Sequence, residues 1–338
     1  MAKDLVLVTG APGWLGNRLV EVLRKDGRKV RCLVLKGSNT GFLESLHADI
    51  VEGDLLDKGS LADVTDGVRT VFHCAGLIHP KKPGELYLVN RDGTRNILEA
   101  SVKSGVTRFI YVSSNSAQGV ARSREELMQE SDPPRPYTDY GKSKHQAELV
   151  VGEFQRSGSI ETVVIRPTWY YGPGAPDRLV KLIKMIRGGN PLIFGDGRNL
   201  RSMTYIDNCI DGLLLAEKTA KANGETYWIA DEKNYETIEI YRTIADYFGV
   251  TLTPRYVPGI ISRSMEKLDM LLGMAGIYEI NVHVAGEMTR NISCSIGKAK
   301  RELGYKPRFA LKEGVKNTIE WCIAKGLIEK GGPAQAKA

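Results

Sequence analysis

Thr9-Gly10-Ala11-Pro12-Gly13-Trp14-Leu15-Gly16 is the stretch on which the reading of this chain turns. Before it runs Leu5-Val6-Leu7-Val8, an apolar strand. After it, Leu15, Leu19, Val22 and Leu23 recur at i, i+4, i+7 and i+8 and share one face of a helix. Three glycines between strand and helix let the backbone approach a pyrophosphate at the helix N-terminus, where N–H groups and the helix dipole favour negative charge. A glycine triplet alone is a weak signal, and a plain tight turn is the alternative reading.

Working outward, strand and helix patterns alternate. Val30 to Leu35, Ile50-Val51, Thr70-Val71-Phe72, Arg108 to Ser113 and Thr162 to Ile165 read as strands, with helices over 84–103 and 138–157. Near-continuous apolar strands alternating with helices indicate a parallel sheet covered on both faces. Right-handed crossovers then give a doubly wound α/β fold. After Pro173 the texture changes, with Gly and Pro clustered at 172–176 and 188–197. We therefore expect a dinucleotide-binding domain over 1–172, with segments near 203–218 and 225–230 returning to the main sheet. A smaller, mostly helical C-terminal substrate lobe is expected from 173–202 and 231–325, followed by a flexible tail over 326–338.

Composition narrows the function classes. The 338 residues are 42% hydrophobic and 26% charged, enough for a large buried core. The formal charge of +7 comes from 47 basic and 40 acidic side chains spread without a like-charge block. A nucleic-acid partner would want a clustered basic stripe, so none is expected. A mildly basic pocket would suit an anionic small molecule. Cysteines 32, 74, 209, 294 and 322 show no CxxC spacing, which points to reduced thiols rather than a disulfide frame or a metal site. Met1-Ala2-Lys3-Asp4 leads straight into a strand, and no apolar stretch approaches the roughly 20 residues of a span. The expectation is a cytoplasmic protein with no membrane partner.

Tyr140-Gly141-Lys142-Ser143-Lys144 supplies the chemistry. Of fourteen tyrosines, only Tyr140 is followed four residues later by lysine. On a helix those two share a face. A free phenol titrates near 10 and moves a proton sluggishly at neutral pH. A positive charge about 4 Å away in an intermediate dielectric would stabilise phenolate by roughly 4 kcal/mol, about three pKa units. Lys144 is therefore expected to bring Tyr140 toward the operating pH. A surface Tyr–Lys pair on a solvated helix is the alternative.

These pieces together resemble the extended short-chain dehydrogenase/reductase family, which includes the NAD-dependent epimerase/dehydratase and 3β-hydroxysteroid dehydrogenase-like branches. The turn is GxxGxxG led by threonine, as in that family, rather than GxGxxG. Gly53-Asp54-Leu55, His73-Cys74-Ala75-Gly76 and Val89-Asn90 fall where the family contacts adenine, ribose and pyrophosphate. The resemblance runs from about residue 4 to about residue 325 and implies a Rossmann fold and a homodimer through the two long helices. It implies catalysis by Ser114, Tyr140 and Lys144, with Ser113 as the one-residue-slip alternative to Ser114. For the cofactor it implies Gly10, Pro12, Gly13, Trp14, Leu15, Gly16, Lys36, Asp54, Leu55, Cys74, Ala75, Gly76, Asn90, Val112, Ser113, Pro167 and Tyr170, besides Tyr140 and Lys144. For a small-molecule substrate it implies Ser114, Asn115, Trp169 and Arg201. Where the sugar dehydratases carry an Asp-Glu pair, this chain has Asn115-Ser116, which supplies no acid for eliminating water.

Val34-Leu35-Lys36-Gly37-Ser38-Asn39 holds no acid to accept the 2′-hydroxyl of NAD, so NADP is expected, with NAD as the alternative. Two substrate classes stay open. Trp169 and the Met/Leu/Ile-rich stretch 259–292 suggest an apolar alcohol or ketone, although ordinary helix packing explains that stretch as well. Arg201 stands where the sugar enzymes bind a phosphate and favours a nucleotide-sugar 4-epimerase. A dinucleotide sensor without catalysis is the third reading.

Overall fold

A computed structural model describes residues 5–330. The first half runs β1 (Leu5–Thr9), α1 (Trp14–Lys25), β2 (Lys29–Val34), α2 (Gly41–Ser45), β3 (Asp49–Glu52), β4 (Val68–His73), α3 (Gly84–Tyr87) and α4 (Gly93–Lys103). It continues through β5 (Arg108–Val112), α5 (Asn115–Gln118), α6 (Asp139–Arg156) and β6 (Glu161–Pro167). Then follow β7 (Trp169–Tyr171), α7 (Asp177–Arg187), β8 (Leu192–Phe194), β9 (Leu200–Tyr205), α8 (Ile206–Lys218) and β10 (Thr226–Ile229). The chain closes with β11 (Asn234–Glu236), α9 (Thr237–Tyr247), β12 (Arg255–Val257), α10 (Gly259–Met274), α11 (Ile280–Glu287), α12 (Gly297–Leu303) and α13 (Leu311–Ala324).

Seven parallel strands form the central sheet in the order β10-β6-β5-β4-β1-β2-β3. The order reverses beside β1, so the carboxyl ends of β1 and β4 flank the crevice where open α/β sheets take ligands. β5 is buried along its length and β1 from Val6 on, because helices cover both faces. Leu19 and Leu23 of α1 are buried with Val6 and Val8, and each such side chain contributes roughly 1.5–3 kcal/mol. Ile97, Leu98, Ala147 and Val150 of α4 and α6 cover the opposite face.

Two features of the chain's second half depart from expectation. Residues 225–230 do return to the main sheet, as β10 beside β6. The strand within the 203–218 segment does not: β9 lies in a separate three-stranded sheet, β11-β9-β7, and only α8 packs on the main sheet. Its apolar character is explained by a second core, where Tyr205 and Met203 meet Tyr171, Ile183, Ile244 and Val315 of the smaller lobe. That lobe also holds a two-stranded sheet, β12-β8, so it is less purely helical than its sequence texture suggests. The flexible-tail expectation is corrected over 326–330, where Ile328 is buried and Leu327 N–H bonds the Cys322 carbonyl at 2.9 Å. The remainder of that tail, 331–338, lies outside the described residues.

The helix expected over 84–103 is one helical run with a π turn at Leu88–Asp92 joining α3 to α4. Such turns often mark functional positions, and Asn90 sits in this one. All five cysteines are free thiols.

Candidate active site

The glycine turn is built for close approach. Gly10 has φ +82°, and a methyl group there would lie 2.6 Å from the Ala75 nitrogen. Gly16 would meet the Ala11 nitrogen at 2.7 Å, and Gly13 the Gly10 carbonyl oxygen at 2.6 Å. Side chains at these positions would prise the turn off the β4 loop and α1 off the turn. Gly13 caps α1 in extended conformation with no side-chain cap bond, and the first turn of α1 has no acidic residue. The helix terminus is thus left to an anion rather than to its own chain. Pro12 accepts from Asn17 Nδ2 at 3.0 Å, while the Trp14 indole donates to the Pro173 carbonyl at 2.7 Å and packs edge-on against Tyr170. Trp14 therefore clamps the loop after β7 onto the turn.

Around the β4 loop, Thr9 Oγ1 accepts from Ala75 N–H at 3.2 Å and bonds His73 Nδ1 at 2.7 Å. His73 is wholly buried and held neutral, its pKa pushed down to about 3 by burial and by Lys144. Cys74 contributes backbone only: burial pushes its thiol well up. Asn90 lies in the π turn, where its amide accepts from Leu77 N–H at 2.7 Å and donates to the Leu77 carbonyl and the Ser143 hydroxyl, both at 2.9 Å. Those bonds make it a strut between the β4 loop and α6. Asp54 is exposed and accepts from Leu56 N–H at 2.9 Å, and Leu55 is buried against Gly93. Lys36 is exposed on the turn after β2.

The proton-handling cluster forms where β5 ends against the start of α6. Thr138 caps α6 by accepting from Gly141 N–H at 3.0 Å. Gly141 lies against the Ser116 carbonyl, in a space that no side chain could share. That contact brings Tyr140 close to Ser114, whose hydroxyl pulls the phenol's pKa down. Ser113 faces the other way and donates to Glu148 at 2.5 Å. Asn115 is buried at the first turn of α5.

Lys144 lies one turn after Tyr140 and is buried. Its Nζ donates to the Val112 carbonyl at 2.8 Å and stands 4.3 Å from the Tyr111 ring centre. Burial lowers its pKa to about 7, opposed by the Glu148 carboxylate and the Cys74 sulfur. The expected depression of Tyr140 by Lys144 is not found. Burial pushes the phenol above its ordinary value, Ser114 and the charge of Arg178 pull it back, and Glu287 adds to the rise. The reason is local: the ammonium is spent on Val112 and the Tyr111 ring, and near pH 7 it is only about half protonated.

Under this cluster lies a network that the sequence did not reveal. Glu148 and Arg166 form a buried pair at 2.6 Å, and Arg166 Nη1 also donates to Gln118. Arg166 holds the Glu148 carboxyl down at about 2 despite burial, which by itself raises it. Tyr140, Lys144 and Glu148 recur at i, i+4 and i+8, so the acid extends the same helical stripe, and that spacing was the available signal. Pro167 ends β6, and Tyr170 turns its hydroxyl toward Cys209 Sγ at 3.6 Å.

On the lobe side, Trp169 and Arg201 meet: the guanidinium stands 4.5 Å from an indole ring centre. Arg201 is buried, and its Nη2 donates to the Glu287 and Met288 carbonyls at the end of α11. Its Nη1 is buried without a partner. Tyr137 donates to Glu287 Oε1 at 2.9 Å. The groups presented to Tyr140 from this side, Glu287 and Arg178, are charged. The apolar residues of 259–292 do not dominate here, because those of α10 point mostly outward (Met274 is 77% exposed, Leu271 59%).

Comparison with known proteins agrees with this geometry. Residues 6–230 match the sequence profile of a family described as NAD dependent epimerase/dehydratase. The chain is 36% identical to an uncharacterised protein, y4nL, of Sinorhizobium fredii, over 95% of this chain and 96% of that one. It is 29% identical to a UDP-glucose 4-epimerase of Vibrio cholerae (93% and 94% covered). It is 28% identical to a 3 beta-hydroxysteroid dehydrogenase/Delta 5→4-isomerase of Mycobacterium tuberculosis (94% and 90%). Among solved structures, MoeE5 in complex with UDP-glucuronic acid and NAD superposes with a TM-score of 0.73 at 28% identity, covering 95% of this chain and 99% of that one.

Proposed function

Because the chain belongs to the NAD-dependent epimerase/dehydratase family, we propose that it is an oxidoreductase exchanging hydride between a nicotinamide and a secondary alcohol or ketone carbon, with Ser114, Tyr140 and Lys144 as its acid–base group. The observation that carries this is the close packing of α5 on the start of α6, which brings Ser114 beside Tyr140 with Lys144 one turn along, next to a turn whose glycines leave no room for side chains. When bound, the dinucleotide supplies the hydride acceptor or donor. Gly10, Gly13 and Gly16 would admit its pyrophosphate, and Lys36 would favour a 2′-phosphate, which makes NADP the preferred form.

Tyr140 gives its phenolic proton to the substrate oxygen during reduction and takes one from the hydroxyl during oxidation. A phenol raised by burial gives up its proton reluctantly until a charge beside it changes, so Lys144 must protonate or turn toward it as the cleft fills. Ser114 donates to the same oxygen and holds it against developing alkoxide charge. Val112 and the Tyr111 ring keep Lys144 in reach through the cycle.

A second reading, a nucleotide-sugar 4-epimerase, is favoured by Arg201. An unpaired, buried guanidinium nitrogen costs about 1–3 kcal/mol until a partner satisfies it, and a diphosphate oxygen would do so. The UDP-glucose 4-epimerase relative supports the same substrate class. One panel separates the two readings: thermal shift of dinucleotide-loaded protein with UDP- and dTDP-sugars against steroid and small-ketone ligands. Stabilisation by nucleotide sugars alone, with no net consumption of added dinucleotide on turnover, would replace the dehydrogenase by the epimerase.

A further inference from the structure

Helix α10 is built inside out. Its inward face is polar: Ser262 donates to the Ala285 carbonyl at 2.7 Å, Glu266 pairs with Arg290, and Asp269 accepts from His283 at 2.8 Å. Gly273, on the same side, approaches the Asp139 carboxylate at the start of α6. Its outward face carries Ile260, Leu268, Leu271 and Met274, and the turn into α11 adds Ile277 and Ile280, all exposed. Ser262 is the one fully buried residue of α10. Soluble helices place these two kinds of face the other way round.

Charge follows the same division. The two acids of α10 are turned inward and paired with Arg290 and His283, whereas its two cations, Arg263 and Lys267, are exposed, one turn apart, on the apolar side. The surface continues onto the nucleotide domain. Tyr278, in the turn after α10, bonds His79 at 2.8 Å, and beside His79 lie exposed Ile78, Lys81 and Lys82. The exposed acid there, Glu279, caps α11 by accepting from Asn281 N–H. The result is an apolar face set with four cations.

We propose that this face docks onto an anionic lipid surface, with the apolar side chains at the headgroup–acyl boundary and the lysines and Arg263 against phosphate. An amphipathic helix with cations bordering its apolar face is the form that lies in such an interface. A second copy fits less well, because a two-fold contact would set the same cations against each other. No helix among the described residues is long and apolar enough to cross a membrane, so contact would be with one leaflet. This revises the expectation of no membrane partner, and it does not depend on which reaction the cleft performs.

The test is flotation of the full chain with vesicles of phosphatidylcholine alone and of phosphatidylcholine with phosphatidylglycerol. The expected result is binding to the anionic vesicles that weakens with salt. An Arg263→Ala/Lys267→Ala pair should lower vesicle affinity roughly thirty-fold at low salt, about fivefold for each surface charge removed. Leu271→Glu/Met274→Glu should abolish flotation while leaving dinucleotide binding intact, which also reports that the variant is folded. Absence of flotation by the unmodified chain would overturn the proposal. So would flotation indifferent to both variant pairs, or a change of oligomeric state in place of lost vesicle binding.

Discussion

At the residue scale, the site turns on how a buried lysine and a partly buried phenol divide one proton between them. Replacing Tyr140 by Phe removes the hydroxyl and nothing else, so kcat should fall by about 10²–10⁴. Unchanged turnover in that variant would return the protein to the sensor reading. Lys144 makes a separate prediction about stability. Its folded pKa is about 7, below its ordinary 10.5, because burial penalises the ammonium. Below pH 7 both folded and unfolded states carry the charge, and the folded state bears the full desolvation cost. Between about 7 and 10.5 the unfolded chain binds more protons, so stability from this group rises with pH across that window. Melting the dinucleotide-free protein and its Lys144→Met variant over that range should show the wild type gaining on the variant. A gap that stays flat would mean Lys144 is not buried as an ammonium. Lys36 provides a third residue-scale test, in the cofactor rather than the proton. A Lys36→Asp variant should shift the ratio of NADPH to NADH dissociation constants toward NADH, since an acid there accepts the ribose 2′-hydroxyl and repels a 2′-phosphate. Titration of both dinucleotides measures it, and an unmoved ratio removes Lys36 from the site.

At the scale of elements, α6 is the part that must not move, since it carries Tyr140 and Lys144 and faces β5. The buried Glu148–Arg166 pair bolts it to β6, with Ser113 and Gln118 completing the bonds. Truncating one partner leaves the other charge unpaired in the interior, and an Arg166→Met variant should lose about 3–5 kcal/mol in urea unfolding. A loss under 1 kcal/mol would show that water reaches the pair. Glu148 has the opposite pH sign to Lys144: its pKa is depressed to about 2, so its stabilisation is present above pH 4.5 and lost as pH falls toward 2. This network also marks where sequence stops being informative. The sheet, the glycine turn and the Tyr–Lys stripe were legible because each is a local pattern with a fixed period. Glu148 continues the Tyr140–Lys144 stripe at i+8, but Arg166 lies eighteen residues beyond it and becomes its partner only when α6 packs on β6, so no period announces the pair. The strut made by Asn90 was hidden for a related reason, since its bonds to Leu77 and Ser143 join segments that are distant in sequence. The apolar run in α10 was legible, but the direction it faces was not, because its inner face is satisfied by polar contacts with α11 and the segment after it.

At the scale of the whole molecule, the remaining question is whether one chain suffices. Leu88, in the π turn between α3 and α4, and Leu149, on α6, are each about half exposed, at 50% and 52%. The two helices pack side by side and are tied across their outer edge by Arg95 and Glu153 at 2.7 Å. A pair of parallel ridges with an unpaired leucine on each is what a two-fold, four-helix contact would cover, and the family resemblance implies a dimer through these helices. A stable contact of this kind needs roughly 1,200–2,000 Å² in total, about the area two such helices can offer. Sedimentation of the wild type should therefore give a dimer at micromolar concentration, and a Leu88→Glu/Leu149→Glu variant should give a monomer. Because the glycine turn, Ser114, Tyr140 and Lys144 all come from one chain, that monomer should still bind dinucleotide. A loss of binding with dissociation would show that pairing sets the spacing of α4 and α6, and through the Asn90 strut the position of the β4 loop as well. A wild type that sediments as a monomer would leave the two leucines as ordinary exposed side chains and remove the dimer from this account.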